Sequence, residues 1–459
     1  MRSRDMTRGR APLRPLLVKE LWEILGGPAA WAMLLLVCPL VGYSFFQAVS
    51  LYAEASEAAL QSPALASGLV PLDGILVPTF GAFYVAVTLL FPFVAIRVLG
   101  GEKESGALRL LVQLPYRPAT LIGVKLAAIL AAWTVTFVPV LSALLVWRMF
   151  GGHLALPETL NLILGHLLYG LLVGAIALFA AAVSDNAATA AILALAFTLG
   201  SWVLDFTLSG RPGLSEWIAQ LSLTQTLRHF EQGLLSLGLV LGIIACIGFF
   251  AALATIWLPP GSAPKHKLVR SALCLLAVLV VVAATAAIHR TFDLTEDQRN
   301  SFAPADQRAL AQLTAPLVVT ARFSPEDPRY VDLRRNVLAK LERVMPNVTI
   351  RLVGSRQAAA ASASDDAYGE VEYVYAGRSD ASRSTSPREI LPLLYGLAGV
   401  SPPAPLPGTA YEGYPLVADA SSSLLWFFAA LPLLIGFAWW WTRRPPSSRT
   451  LIHFTEVQR

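Results

Sequence analysis

The sequence predicts a mainly α-helical membrane protein: a polytopic bundle of about eight transmembrane helices, with one small α/β domain between the last two. Three observations predict it. The chain is 55% hydrophobic and only 14% charged, against about 25% charged in ordinary soluble domains. Apolar runs of about 18 residues or more recur along it, each long enough to cross a hydrocarbon core of about 30 Å. One long segment, 290–421, is polar instead and alternates strand-like and helix-like patterns. The net charge of +5 is modest and its cations cluster beside the apolar runs, which does not point to nucleic acid as a partner. The partner this composition implies is the lipid bilayer.

The elements follow in order. Residues 1–27 are a basic N-terminus ending in "PLRPLLVKELWEILGG". This stretch reads as an amphipathic helix on the inner leaflet, with Leu16, Leu17, Leu21, Trp22, Ile24 and Leu25 in the interface and Lys19 and Glu20 towards water. The eight spans are predicted at about Pro28–Gln47, Phe80–Leu99, Leu121–Val146, Leu160–Val183, Ala187–Val203, Leu234–Leu258, Val269–His289 and Ser422–Trp441. The first exceeds the apolar core of about 7–15 residues in a secretory signal, so it is read as a retained span. Cys38, Cys246 and Cys274 all fall within spans and act as apolar filler.

Basic residues set the expected orientation. They crowd the N-terminus, the region after the second span (Arg97, Lys103, Arg109, Arg117, Lys125), the link after the sixth (Lys265, Lys267, Arg270) and the tail after the eighth. The intervening loops are poor in them. By the excess of Lys and Arg on the cytoplasmic side, both termini, the 259–268 link and the 442–459 tail lie in the cytoplasm, and 290–421 lies outside it. That outer segment reads as strands at "LVVTARFS", "NVTIRLVG" and "VEYVYAG", with helices at Asp327–Met345 and Ser386–Gly399, a βαββα-like unit. It contains no His and no Cys, so no familiar nucleophilic constellation is available there. "LSEWIAQLSLTQTLRHFEQ", before the sixth span, is compatible with a pair of amphipathic helices or a plain interfacial loop.

The most informative loop is "LGGEKESGALRLLVQLP", Leu99–Pro115, which puts Glu102, Lys103, Glu104 and Arg109 between two spans. It reads as a short amphipathic helix with Leu108, Leu111, Val112 and Leu114 on one face and Pro115 closing it. Such a helix either docks on a cytoplasmic partner or forms a solvated face that anchors the two spans; acid–base or metal chemistry by Glu102 and Glu104 is the weakest option. His and Cys show no metal-ligand spacing, and no G-x-x-x-x-G-K-[ST] phosphate loop occurs, so the chain is not expected to be an enzyme or to hold a cofactor or metal of its own. Asn161 and His166, polar groups in the fourth span, are candidates for a translocation path, with simple interface placement as the alternative.

With "LVKELWEIL" before the first span and "GGEKESGALRLLVQLPYRPATLIGVKLAA" between the second and third, residues 15–260 resemble the type-2 ABC exporter permease. The matching positions are Glu102, Lys103, Glu104, Gly106, Leu108, Pro115, Gly123 and Lys125, while Ala107 stands where the family more often has Thr. With "FDLTEDQRNSFAPADQRALAQLTAPLVVTARFS" after the seventh span and "YGEVEYVYAGR" further on, residues 290–421 and their flanking spans resemble the auxiliary component of gliding-motility-type ABC systems, here with a shortened outer domain. The resemblance implies a six-helix permease domain over 28–258 in a bacterial inner membrane, with an auxiliary domain fused behind it. It implies a separate ABC ATPase as partner, with ATP and Mg bound by that partner. Glu102, Lys103, Glu104, Gly106, Leu108, Arg109 and Pro115 would couple to the ATPase, and Lys19, Glu20 and Trp22 would form the interfacial helix. A homodimer or a homologous permease partner, export as the direction, and an extracytoplasmic component as a further partner are also implied. The alternative is an ABC-energised envelope-assembly or force-transmitting scaffold that carries no small molecule.

Overall fold

A computed structural model describes residues 13–208, 222–259, 261, 263–288, 290–324, 327–353, 368–403 and 411–443. Among them, eight helices are long and apolar enough to cross a membrane: Pro28–Gln61, Leu72–Glu104, Pro118–Met149, Leu156–Val183, Ala187–Leu204, Leu237–Trp257, Pro264–Ala286 and Ser421–Thr442. Helices satisfy most of their backbone hydrogen bonds internally, the condition for crossing lipid, although Pro39 and Pro92 interrupt the ladder inside the first two. Pro28, Pro118 and Pro264 sit in the first turns of their helices, where the missing N–H costs nothing. The chain therefore has the architecture of a multi-pass membrane protein.

Several expected boundaries move. The first span runs on to Gln61, because "SLYAEASEAALQ" is good helix sequence and packs along the second. The second begins at Leu72 through a wide turn before the regular helix starts at Val77. The third changes helix at Phe137, ahead of Pro139. The sixth starts at Leu237, since Leu234–Ser236 is a strand instead (β1), released by Gly233 at φ +77°. β1 pairs antiparallel with β2 (Thr291–Asp293), the first strand after the seventh span. The seventh starts at Pro264, and the expected end at His289 lies outside the described residues. Of the 209–232 loop, Leu223–Glu231 is helical and 209–221 lie outside the described residues.

The spans are unequally enclosed. In the fourth span 72% of the apolar window is buried, and in the seventh 6%, so the fourth is the centre of the bundle and the seventh faces outward nearly all round. The fourth span is central because Gly165, Gly170 and Gly174 leave room for Phe230, Trp133 and Ile129 to press against its backbone.

The polar segment folds as a four-stranded sheet in the order β4–β3–β5–β6: β3 (Leu317–Ala321), β4 (Val348–Leu352), β5 (Val371–Tyr375) and β6 (Arg378–Ser382). β3 and β4 are parallel, joined through the helical stretch beginning at Pro328; the other pairs are antiparallel. Val319 and Tyr373 point inward from adjacent strands onto Val337, Leu341, Ile390 and Leu394. The expected βαββα order is present, but β6 and a helix at Pro304–Ala311 are additional. β6 follows β5 through Ala376 and Gly377, both at positive φ, the geometry of a tight two-residue hairpin. Its sequence, "RSDAS", has no apolar alternation, because it is an edge strand with exposed side chains.

This sheet unit touches the bundle directly. Tyr414 donates to Glu296 Oε1 at 2.5 Å and stacks on His153, whose ring nitrogen lies 2.8 Å from Glu296 Oε2. Arg299 pairs with Asp73 at the start of the second span. The adjacent Glu296 carboxylate pushes the Tyr414 phenol up to about 12.

Candidate functional site: an ionic hub at the helix ends

The charged loop does not form one helix over 99–115. The second span continues through Glu104, the chain turns at Ser105 and Gly106 (φ +77°), and a separate seven-residue helix covers Ala107–Gln113. Gly106 permits that turn because an L side chain is strained there. Three consecutive charged residues then point three ways from the end of one helix.

Glu102 points inward. It is 4% exposed, and its Oε2 lies 2.6 Å from Lys125 Nζ, a close ion contact off the hydrogen-bonding direction. Its other oxygen pairs with Lys19. Lys125, in the third span, also donates to both oxygens of Glu20 at 2.9 and 3.0 Å and to the carbonyl of Val98 at 2.8 Å. Glu20 and Lys125 are each 1% exposed. Lys103 donates to the carbonyls of Ala182 and Ser184 at 2.7 and 2.9 Å, satisfying the end of the fourth span. Glu104 accepts from the backbone N–H of Ala187 at 3.3 Å, where the fifth begins. "EKE" thus ties the second span to the N-terminal helix (Leu13–Gly26), the third, the fourth and the fifth.

The N-terminal helix keeps Leu16 and Ile24 on its buried face but departs from the expectation at Glu20 and Trp22. Leu16, Glu20 and Ile24, spaced four apart, are buried, while Trp22 is 59% exposed. Glu20 does not face water: a buried ammonium, Lys125, holds it against the bundle. Lys19 is half-buried and reaches Glu20, Glu23 and Glu102. Burial alone would lower the Lys19 ammonium, but the hydrogen bond to Glu102 and the charges of Glu20 and Glu102 raise it overall. Burial raises the Glu20 carboxyl, an effect that Lys125 opposes. The carboxylates of Glu20, Glu23 and Glu102 approach within 4.8 Å of one another, a spacing a cation could use. Lys19 and Lys125 already supply the positive charge, so the arrangement is an ion-pair network rather than a vacant metal cage.

The remaining loop residues divide by exposure. Leu108 and Leu111 are buried and pin the short helix to the bundle. Arg109, Leu110, Gln113, Leu114 and Pro115 are exposed, with Leu110 at 68%. Leu114 therefore leaves the apolar face expected for it, because the helix ends at Gln113.

Asn161 and His166 are both buried in the fourth span, away from the hub. Asn161 Nδ2 donates to the carbonyls of Phe230 and Leu234 at 3.2 and 3.4 Å. His166 Nδ1 lies 3.0 Å from the carbonyl of Leu162, with its ring edge-on to Phe80. Asn161 Oδ1 and His166 Nε2 have no partner among the described residues. Lys125 is one of the family-like positions of the sequence but is not among the residues expected to couple or to face Glu20. The available signal was a lone ammonium within "LIGVKLAAILAA", which requires a buried counter-charge. Compared with known proteins, the chain matches no family model, no curated protein and no solved structure.

Proposed function

We propose that this chain is the membrane-embedded permease subunit of an ATP-binding cassette exporter, lying in a bacterial inner membrane with both termini in the cytoplasm and driven by a separate ATPase subunit. The observation that carries the reading is the hub. Exposed Arg109 and Leu110 stand on a seven-residue helix directly after "EKE", with exposed Leu114 just past its end, and the charges of "EKE" hold the ends of five helices. A partner pushing on that helix would move a connected set of spans rather than a loose loop. In this reading Glu102, Lys103 and Glu104 transmit the push inside the bundle, and Arg109, Leu110, Leu114 and Pro115 meet the partner. Asn161 Oδ1 and His166 Nε2, polar atoms of the central span without partners among the described residues, are where a passing solute would find hydrogen bonds.

The test is affinity purification of the tagged chain from its native membrane in mild detergent, beside the variants Arg109→Glu and Leu110→Asp. An ATP-hydrolysing protein is expected with the wild type and not with the variants, whose melting temperatures stay unchanged because both side chains are exposed. Absence of any nucleotide-binding protein from the wild-type material would overturn the proposal. A second reading, a force-transmitting envelope scaffold, is favoured by the ties between sheet unit and bundle through β1–β2, Glu296 and Arg299. Reconstituted vesicles separate the two: ATP-dependent solute movement supports the permease, and ATP turnover without it supports the scaffold.

A further inference from the structure

At the hub's end of the bundle, a second feature is independent of whether the chain transports anything. A cavity of about 330 Å³ opens between the start of the third span, the end of the sixth and the start of the seventh. Arg117, His266, Lys267 and Arg270 line it, and among the described residues no lining residue is acidic. Lys267 is engaged: its ammonium donates to the carbonyls of Trp257 and Pro259 at 3.3 and 2.9 Å, neutralising the negative end of the sixth helix. The Arg117 and Arg270 side chains are exposed and make no hydrogen bond or ion pair with the described residues. The third and seventh helices both begin here, adding the positive ends of two helix dipoles. The mouth is therefore a concave concentration of uncompensated positive charge.

Its position specifies the anion. Trp257 ends the sixth span, with Lys267 5.5 Å from its ring, an arrangement typical of the headgroup layer. Thr255 and Ile256 floor the cavity on the membrane side. The seventh helix is almost unburied, and Leu273, one turn beyond Arg270, is 61% exposed on a surface suited to acyl chains. A basic pocket opening onto an apolar lipid-facing helix matches a diester phosphate carrying two chains better than a free anion. We propose that this pocket is a binding site for the phosphate of an anionic membrane phospholipid, with Arg117 and Arg270 as its ligands.

The experiment is native mass spectrometry of the full chain in detergent, titrated with phosphatidylglycerol or with neutral phosphatidylcholine. The wild type should retain the anionic lipid in clear preference. Arg117→Gln with Arg270→Gln should weaken that binding roughly 10- to 30-fold while the lipid-free melting temperature is unchanged. Arg14→Gln, an exposed cation outside the cavity, should leave the preference intact. The proposal is overturned if the wild type shows no preference, if the double variant keeps it, or if Arg14→Gln loses it equally. Displacement of the lipid by a modest excess of inorganic phosphate would overturn it in favour of a free-phosphate site, and resistance to phosphate supports the lipid.

Discussion

Lys125 faces two carboxylates from a position with 1% exposure, so its charge governs the hub. Replacing it with Met leaves Glu20 and Glu102 buried beside each other without their shared cation. The expected cost is about 3–5 kcal/mol, read as a fall in melting temperature in detergent. Adding Glu20→Gln and Glu102→Gln should restore much of that loss, because the uncompensated charge, rather than the lost contacts, is the dominant cost. Equal losses in the single and triple variants would contradict this account. A second residue-scale expectation concerns Asp327. The Arg329 side chain, with help from Tyr368, holds its carboxyl down to about 2. A depressed carboxyl stabilises the fold above its ordinary value of 3.8 and loses that contribution as pH falls towards 2. Asp327 also caps the helix at Pro328, accepting from Arg329 N–H. Pepsin cleavage within 328–338 should therefore increase over that acid window. In Asp327→Asn, which can cap without charge, cleavage should no longer vary across it.

Among the elements, the short helix Ala107–Gln113 owes its direction to one residue. Gly106 has open space around its Cα, so Gly106→Ala meets no clash, and its cost is the left-handed backbone alone, about 1–2 kcal/mol. Chemical denaturation in detergent measures that cost. If the proposed coupling is correct, partner retention also falls, since the helix can no longer leave the second span at the same angle. In the fourth span the reason differs: a Cβ on Gly170 collides with the buried Trp133 ring, so Gly170→Ala should lower stability by about 1–3 kcal/mol through overpacking. Helical periodicity located the N-terminal helix, but it could not rotate it. "LVKELWEIL" is amphipathic whichever face turns inward, and only Lys125, about a hundred residues away in sequence, selects the face carrying Glu20.

For the whole molecule, the decisive tie is β1–β2, where the chain before the sixth span pairs with the chain after the seventh. Leu235 lies opposite Phe292 in that register. In a background with Cys38, Cys246 and Cys274 replaced, Leu235→Cys and Phe292→Cys should cross-link under mild oxidation. A shifted pair, Leu235→Cys with Thr295→Cys, should not. Cross-linking of the shifted pair alone would refute the register. No local signal announced this ladder: "LLS" continues an apolar run and reads as the start of the sixth span. It becomes a strand because Gly233 turns the chain and an extended partner is within reach.

The amino-acid sequence by itself determined the helical membrane architecture, the number of candidate spans and the presence of a strand-containing polar unit before the last one. Length, apolar content and alternation are local properties, and solvent transfer energies act on them directly. It also identified "EKE" as a place where charge had to be explained. What the charges explain was decided by tertiary structure. Glu102, Lys103 and Glu104 are neighbours in the chain but answer to Lys125 and Lys19, to the carbonyls of Ala182 and Ser184, and to the N–H of Ala187. The gathering of Arg117 with His266, Lys267 and Arg270 around one cavity has the same origin. Ion pairing and pocket formation depend on distances between segments far apart in sequence, and those distances exist only once the helices have packed.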